Sequence, residues 1–155
     1  MANFLDAHTA RLRLLQVQAE GDAIVELADS AEHAWSLAFA NETLCLAEWI
    51  DEPPRLVVSI DIGIPPAHRT GVVHSNALFF NLLWKESGGA RIAQGGSEGE
   101  LILIGEFQQA SVLADDFAAE LVRFADFAKA WCLYAASSSA EAKIPSSGQL
   151  TAHIV

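Results

Sequence analysis

Residues 76–86 read NALFFNLLWKE, and no other stretch limits the possible folds as tightly. Successive residues of a helix are turned by about 100°. At that spacing Ala77, Leu78, Phe79, Phe80, Leu82, Leu83 and Trp84 spread around nearly the whole circumference, leaving a narrow sector for Asn81 and Lys85. A single sheet cannot cover so wide an apolar surface. Either the helix is central to a large core, or a second chain covers its outer side. The chain has 155 residues, enough for one domain that buries ~70% of its unfolded surface and has few layers in which to enclose a helix completely. A homodimer interface is the expected use of the outer side. Ser75 is the expected N-cap of this helix and Gly88-Gly89 its stop.

The flanking segments give the rest of the order. Leu5, His8, Leu12, Leu15 and Ala19 recur at spacings of three and four, which predicts an amphipathic first helix ending near Gly21. AIVELADSAEH fits either an extension of that helix or a short edge strand, and the sequence leaves both open. From Ala34 the period becomes two. Trp35, Leu37 and Phe39 alternate with small residues, Asn41-Glu42 makes a turn, and TLCLAEWI alternates again through Leu44 and Leu46. After DEPP, RLVVSIDIGI is a third strand, stopped by Pro65-Pro66. Beyond the all-round helix, ARIAQ and ELILIGEF form a second hairpin around GGSEG. Phe117, Leu121, Phe124, Ala128, Trp131 and Ala135 then mark a long closing helix, with Asp115-Asp116 in its first turn where the helix dipole favours acid.

The reading is therefore α+β: helix, three-strand meander, helix, two-strand hairpin, helix, in a twisted antiparallel sheet with flanking helices. Residues 1–136 form the single domain. SSSAEAKIPSSGQLTAHIV, residues 137–155, has the composition of a flexible tail, although LTAHIV also suits pairing with an exposed edge.

Composition narrows the functions. A hydrophobic content of 52% excludes disorder for most of the chain, and a formal charge of -11 with nine scattered basic residues offers no cluster for phosphates, so nucleic acid is not expected. No apolar run is long enough to span a membrane, and MANFLDAHTARLRLL lacks a signal-peptide core. A cytoplasmic, non-membrane protein is expected. Cys45 and Cys132 are read as buried thiols rather than redox or metal pairs.

Catalytic patterns are weak. Gly95-Gly96-Ser97-Glu98-Gly99 matches G-x-S-x-G, but a nucleophile elbow joins a strand to a helix, whereas this segment joins two hairpin arms. His8, His33, His68, His74 and His153 include no metal-ligand pair, and His8 reads as a half-buried packing residue. Asp51-Glu52 sits in a turn and Asp115-Asp116 at a helix start, so both acidic pairs have structural duties. No catalytic residue, cofactor or metal is expected. What remains is surplus apolar surface, on the all-round helix, on the Trp35/Leu37/Phe39 strand, and on the first helix, where Phe4, Leu14 and Val17 lie beyond its main stripe. Such surface serves either as core or as a docking site for other polypeptides.

The element order, the acidity and several stretches together resemble the class I type III secretion chaperones, the family of the Tir chaperone. The resemblance spans roughly residues 3–136. NALFFNLLWKESGGARIAQGGSEGELILIGEF is similar to the family's central unit, and ADDFAAELVRFADFAKAWCLYA to its closing helix. AWSLAFANETLCLAEWI and RLVVSIDIGIPP are similar to its first three strands. AIVELADSAEH and the Ser/Pro tail depart from the pattern.

The resemblance implies a bacterial cytoplasmic homodimer without enzymatic activity. Phe79, Phe80, Leu83 and Trp84 would meet their twofold copies, with Leu101 and Leu103 nearby. It further implies virulence-related protein transport. The chaperone holds the N-terminal segment of secreted effector proteins in extended form, soluble and secretion-competent, with the secretion ATPase as a further contact. Leu12, Leu15, Trp35, Leu37, Phe39 and Leu46 are the expected effector-binding residues. The alternative is a dimeric adaptor of the same fold that binds a regulatory protein outside secretion. A small hydrolase using Ser97 is a distant third.

Overall fold

The structure, a computed structural model, describes residues 5–146. Helix α1 (Ala7–Glu20) is followed by strands β1 (Ile24–Ala31), β2 (Ala34–Phe39), β3 (Leu44–Asp51) and β4 (Pro54–Gly63). A 3-10 turn at Ala67–Arg69 leads into α2 (Thr70–Leu82). Then come β5 (Arg91–Gln94), β6 (Leu101–Gln108), the short α3 (Gln109–Leu113) and the long α4 (Phe117–Ala136). The strands form one antiparallel sheet in the order β1-β2-β3-β4-β6-β5.

The expected α+β order is observed, and the open stretch after the first helix resolves as β1. Leu27 opposes Leu37 and Asp29 opposes Trp35, with irregularities at both ends of the pairing. Those irregularities hide the period of two that would identify a strand by sequence. The meander accordingly has four strands. His33, with φ 60, sits in the tight turn that joins β1 to β2.

Alternation then fixes the two faces of the sheet. Leu37, Cys45, Ile60, Leu103 and Ile92 form one row across five strands, and each is 5% exposed or less. All these residues belong to one core cluster with the buried sides of the helices. The next row on the opposite face, Ser36, Leu46, Ser59, Ile104 and Arg91, is half-buried or exposed.

Helix α4 packs as its spacing requires: Phe117, Leu121, Phe124, Ala128, Trp131 and Ala135 are at most 1% exposed. Full burial of each large apolar side chain contributes about 1.5–3 kcal/mol, far more than differences in helix propensity, so this stripe sets the helix's rotation.

Helix α1 reverses its expected orientation. Ala7, Ala10, Leu14 and Val17 are buried, whereas His8, Leu12 and Ala19 are exposed and Leu15 is half-buried. The small Ala7 and Ala10 let the helix approach the sheet closely, which the bulkier Leu12/Leu15 stripe would prevent. Its start is set by Asp6, whose carboxylate accepts a hydrogen bond from the Thr9 backbone N–H at 2.8 Å and is held below its ordinary pKa by that bond.

Helix α2 begins five residues before the expected cap, at Thr70, and ends at Leu82, so Ser75 lies inside it. The chain turns from Leu83 through Gly89 instead of continuing as helix, with Gly88 and Gly89 at φ 65 and 85.

Candidate protein-interaction site

Two surfaces combine exposed apolar side chains with backbone or helix that the rest of the described residues leave at least partly uncovered. The first is the β1 edge. Among the described residues no strand pairs with its outer side, and along it only Ile24 is buried and Leu27 half-buried. Helix α1 lies alongside, tied to β1 by the Arg11 guanidinium, whose Nε donates to Asp29 Oδ1 at 3.0 Å. It presents Leu12, 49% exposed, and half-buried Leu15, while β1 adds Val25, 61% exposed.

The opposite edge of the sheet is capped at one residue. The Asn81 side-chain amide of α2 donates to the Ile92 carbonyl and accepts from the Ile92 N–H, both at 2.8 Å, as a neighbouring strand would. An incoming extended segment would therefore find, among the described residues, an unpaired row of donors and acceptors at β1, and at β5 a row already capped at Ile92.

The second surface is the outward side of α2 and its following turn. Val72, Leu78, Phe79, Leu82 and Trp84 are each at least half exposed, five of the twelve exposed large apolar side chains among the described residues. Lys85 Nζ lies 5.5 Å from the Trp84 ring centroid, and Trp84 is still 57% exposed. Leu83 is half-buried.

The twelve expected site residues divide accordingly. Leu12 and Leu15 face outward beside β1, and Phe79 and Trp84 are exposed on the α2 side. Trp35, Leu37 and Phe39 are core, between 0% and 4% exposed, because the inward face of β2 lies under the helices. Phe80, Leu101 and Leu103 are core as well, with the Phe80 ring 5.4 Å from Phe127 and 5.9 Å from Trp131. Leu46 is half-buried on the far side of the sheet, away from α1.

Val25, Val72, Leu78 and Leu82 are the surface residues that the sequence did not single out for a site. Leu78 and Leu82 were visible in the all-round helix, but only the burial of Val73, Ala77 and Phe80 shows which side turns outward.

The remaining candidates lie in a hairpin turn, at a strand end, before a helix and on the surface. Ser97 lies in the turn of the β5–β6 hairpin. Asp51 accepts from the Trp49 indole N–H at 3.0 Å. Asp116 precedes α4, and its side chain makes no capping bond. His8 is exposed rather than half-buried, and His153 falls outside the described residues, as do Phe4 and the LTAHIV segment. Cys45 is buried, and desolvation pushes its thiol up to about 12. Cys132 is half-buried rather than buried, and its thiol is raised by the same cause. Among the described residues no group of His, Cys, Asp and Glu could hold a metal ion, and no helix is long and apolar enough to cross a membrane.

Residues 23–132 match the model of the Tir chaperone protein (CesT) family. No curated protein matches the chain. Among solved structures, a chain of the crystal structure of the ExsC-ExsE complex superposes with a TM-score of 0.67 at 18% identity, covering 87% of this chain and 98% of that one.

Proposed function

Because the chain belongs to the Tir chaperone protein (CesT) family, a family of type III secretion chaperones and not of enzymes, we propose that it binds a secreted effector. It holds that protein's N-terminal segment in extended form in the bacterial cytoplasm, acting as a homodimer that pairs through the outward side of α2. The observation that carries this reading is the difference between the two edges of the sheet. The β5 edge is capped at Ile92 by Asn81, while among the described residues the β1 edge is unpaired and flanked by Leu12, Leu15 and Val25. Main-chain hydrogen bonds to β1 would supply affinity without demanding a sequence, and apolar side chains of the segment would settle beside Leu12 and Leu15. The acidic surface keeps such a protein soluble.

The test is to recover the tagged chain from its host, digest the complex with protease and identify the protected peptides by mass spectrometry. Protected N-terminal segments of secreted proteins are expected, and Leu12→Asp should abolish their retention while leaving the fold intact, because Leu12 is exposed. Recovery of folded cytoplasmic partners alone, indifferent to Leu12→Asp, would replace this reading with that of a regulatory adaptor.

A further inference from the structure

The chain does not leave the domain where α4 ends. Arg69, 5% exposed, donates to the carbonyls of Tyr134 and Ser137 and stacks over the Tyr134 ring with its Cζ 4.8 Å from the centroid. A buried guanidinium set against the last carbonyls of a helix satisfies the acceptors left open there and benefits from the negative end of the helix dipole. It also fixes the direction in which the chain continues. The Tyr134 hydroxyl accepts from Asn76 Nδ2 of α2 at 2.6 Å, and His68 Nε2 is 3.4 Å from the Ser138 carbonyl. Residues 137–146 then run back along α2, where Ala142 packs against the core. Ile144 and Pro145 line an open pocket of about 280 Å³ with Phe79, Phe80, Leu83 and Trp131.

The cover is incomplete. Ile144 remains 53% exposed, Phe79 61% and Leu82 69%. The strap thus occupies part of a site and leaves much of its apolar area uncovered.

A second copy of this chain is the occupant that fits the remainder. The formal charge is -11, yet no Asp or Glu occurs between Asp61 and Glu86, the span that contains all of α2. Two strongly acidic copies repel least when they meet through their acid-free segments.

We propose that residues 137–146 form an intramolecular strap that competes with a second copy for the α2 face, so that dimerisation requires the strap to move aside. This rests on the pairing through α2 given above and adds its regulation. The geometry implies that releasing the strap strengthens self-association.

Sedimentation equilibrium on three proteins tests this: the full chain, the chain ending at Ala136, and the full chain carrying Ile144→Asp, a change at an exposed site that leaves the domain intact. Both variants are expected to lower the dimer Kd by about tenfold or more. A Kd that is unchanged or raised in Ile144→Asp overturns the proposal, whatever the truncated chain does. Phe79→Asp, added to each protein, separates the two readings. If it abolishes dimers while strap release has no effect, pairing through α2 stands and the strap fails. If dimers persist in its presence, both fail.

Discussion

Residue-scale requirements are clearest where backbone and core meet. A Cβ added to Gly105 of β6 would lie 2.7 Å from Cε2 of Phe124, whose side chain is fully buried in the α4 stripe. Relief would require moving a ring held on every side, not rotating a flexible tip. Gly105→Ala is expected to destabilise the domain by about 1–3 kcal/mol. Urea unfolding should show this as a lower midpoint with unchanged slope, and a change below about 0.5 kcal/mol would mean that the ring has room to shift. The Phe124 half of this contact was legible in the sequence through the four-three-four spacing of α4. The Gly105 half was not, because a glycine in a strand gives no sign of what lies above it. The thiols divide similarly. Cys45 falls on the inward phase of a strand and is buried as expected, whereas Cys132 adjoins the apolar stripe of α4 without belonging to it and stays half-buried.

Among the elements, rotation was harder to read than existence. Helix α1 carries two interleaved stripes, and hydrophobicity alone favoured Leu12 and Leu15. The sheet instead selected Ala7, Ala10, Leu14 and Val17, since close approach depends on small residues. Helix α2 posed the converse problem: Asn81 looked like part of a narrow sector facing water, but it is spent on the edge of β5. Replacing it with Ala removes two hydrogen bonds and leaves the N–H and C=O of Ile92 without those partners. A loss of about 1–3 kcal/mol in stability is expected, together with faster amide exchange at Ile92 than at Leu103, its opposite number in β6. Unchanged exchange at Ile92 would show that the edge is protected by something other than this side chain. Asn81→Ala should also make β5 a second open edge, so aggregation on prolonged storage is the associated phenotype.

For the whole molecule, sequence and structure agree on architecture and divide on allocation. Periodicity identifies which side chains avoid water without saying whether they do so inside one chain or between two. Thus Trp35, Leu37, Phe39, Phe80, Leu101 and Leu103 proved to be core, while Leu78 and Leu82 stand exposed. Charge separates the remaining surfaces in a way that hydropathy cannot. Each copy carries a formal charge of -11, so a dimer joined through the acid-free α2 segment gathers like charges that lie mostly away from the contact. Such repulsion acts over the Debye length, about 30 Å at 0.01 M salt and about 8 Å at 0.15 M. If the copies pair in the proposed way, sodium chloride added across that range should therefore tighten the pairing, because a contact through the apolar Phe79, Leu82 and Trp84 would itself be little changed. Sedimentation equilibrium at the two concentrations measures this directly. A Kd that falls with salt fits an apolar, acid-free interface; one that rises would mean that ion pairs hold the copies together, and the interface would have to lie where the acids are.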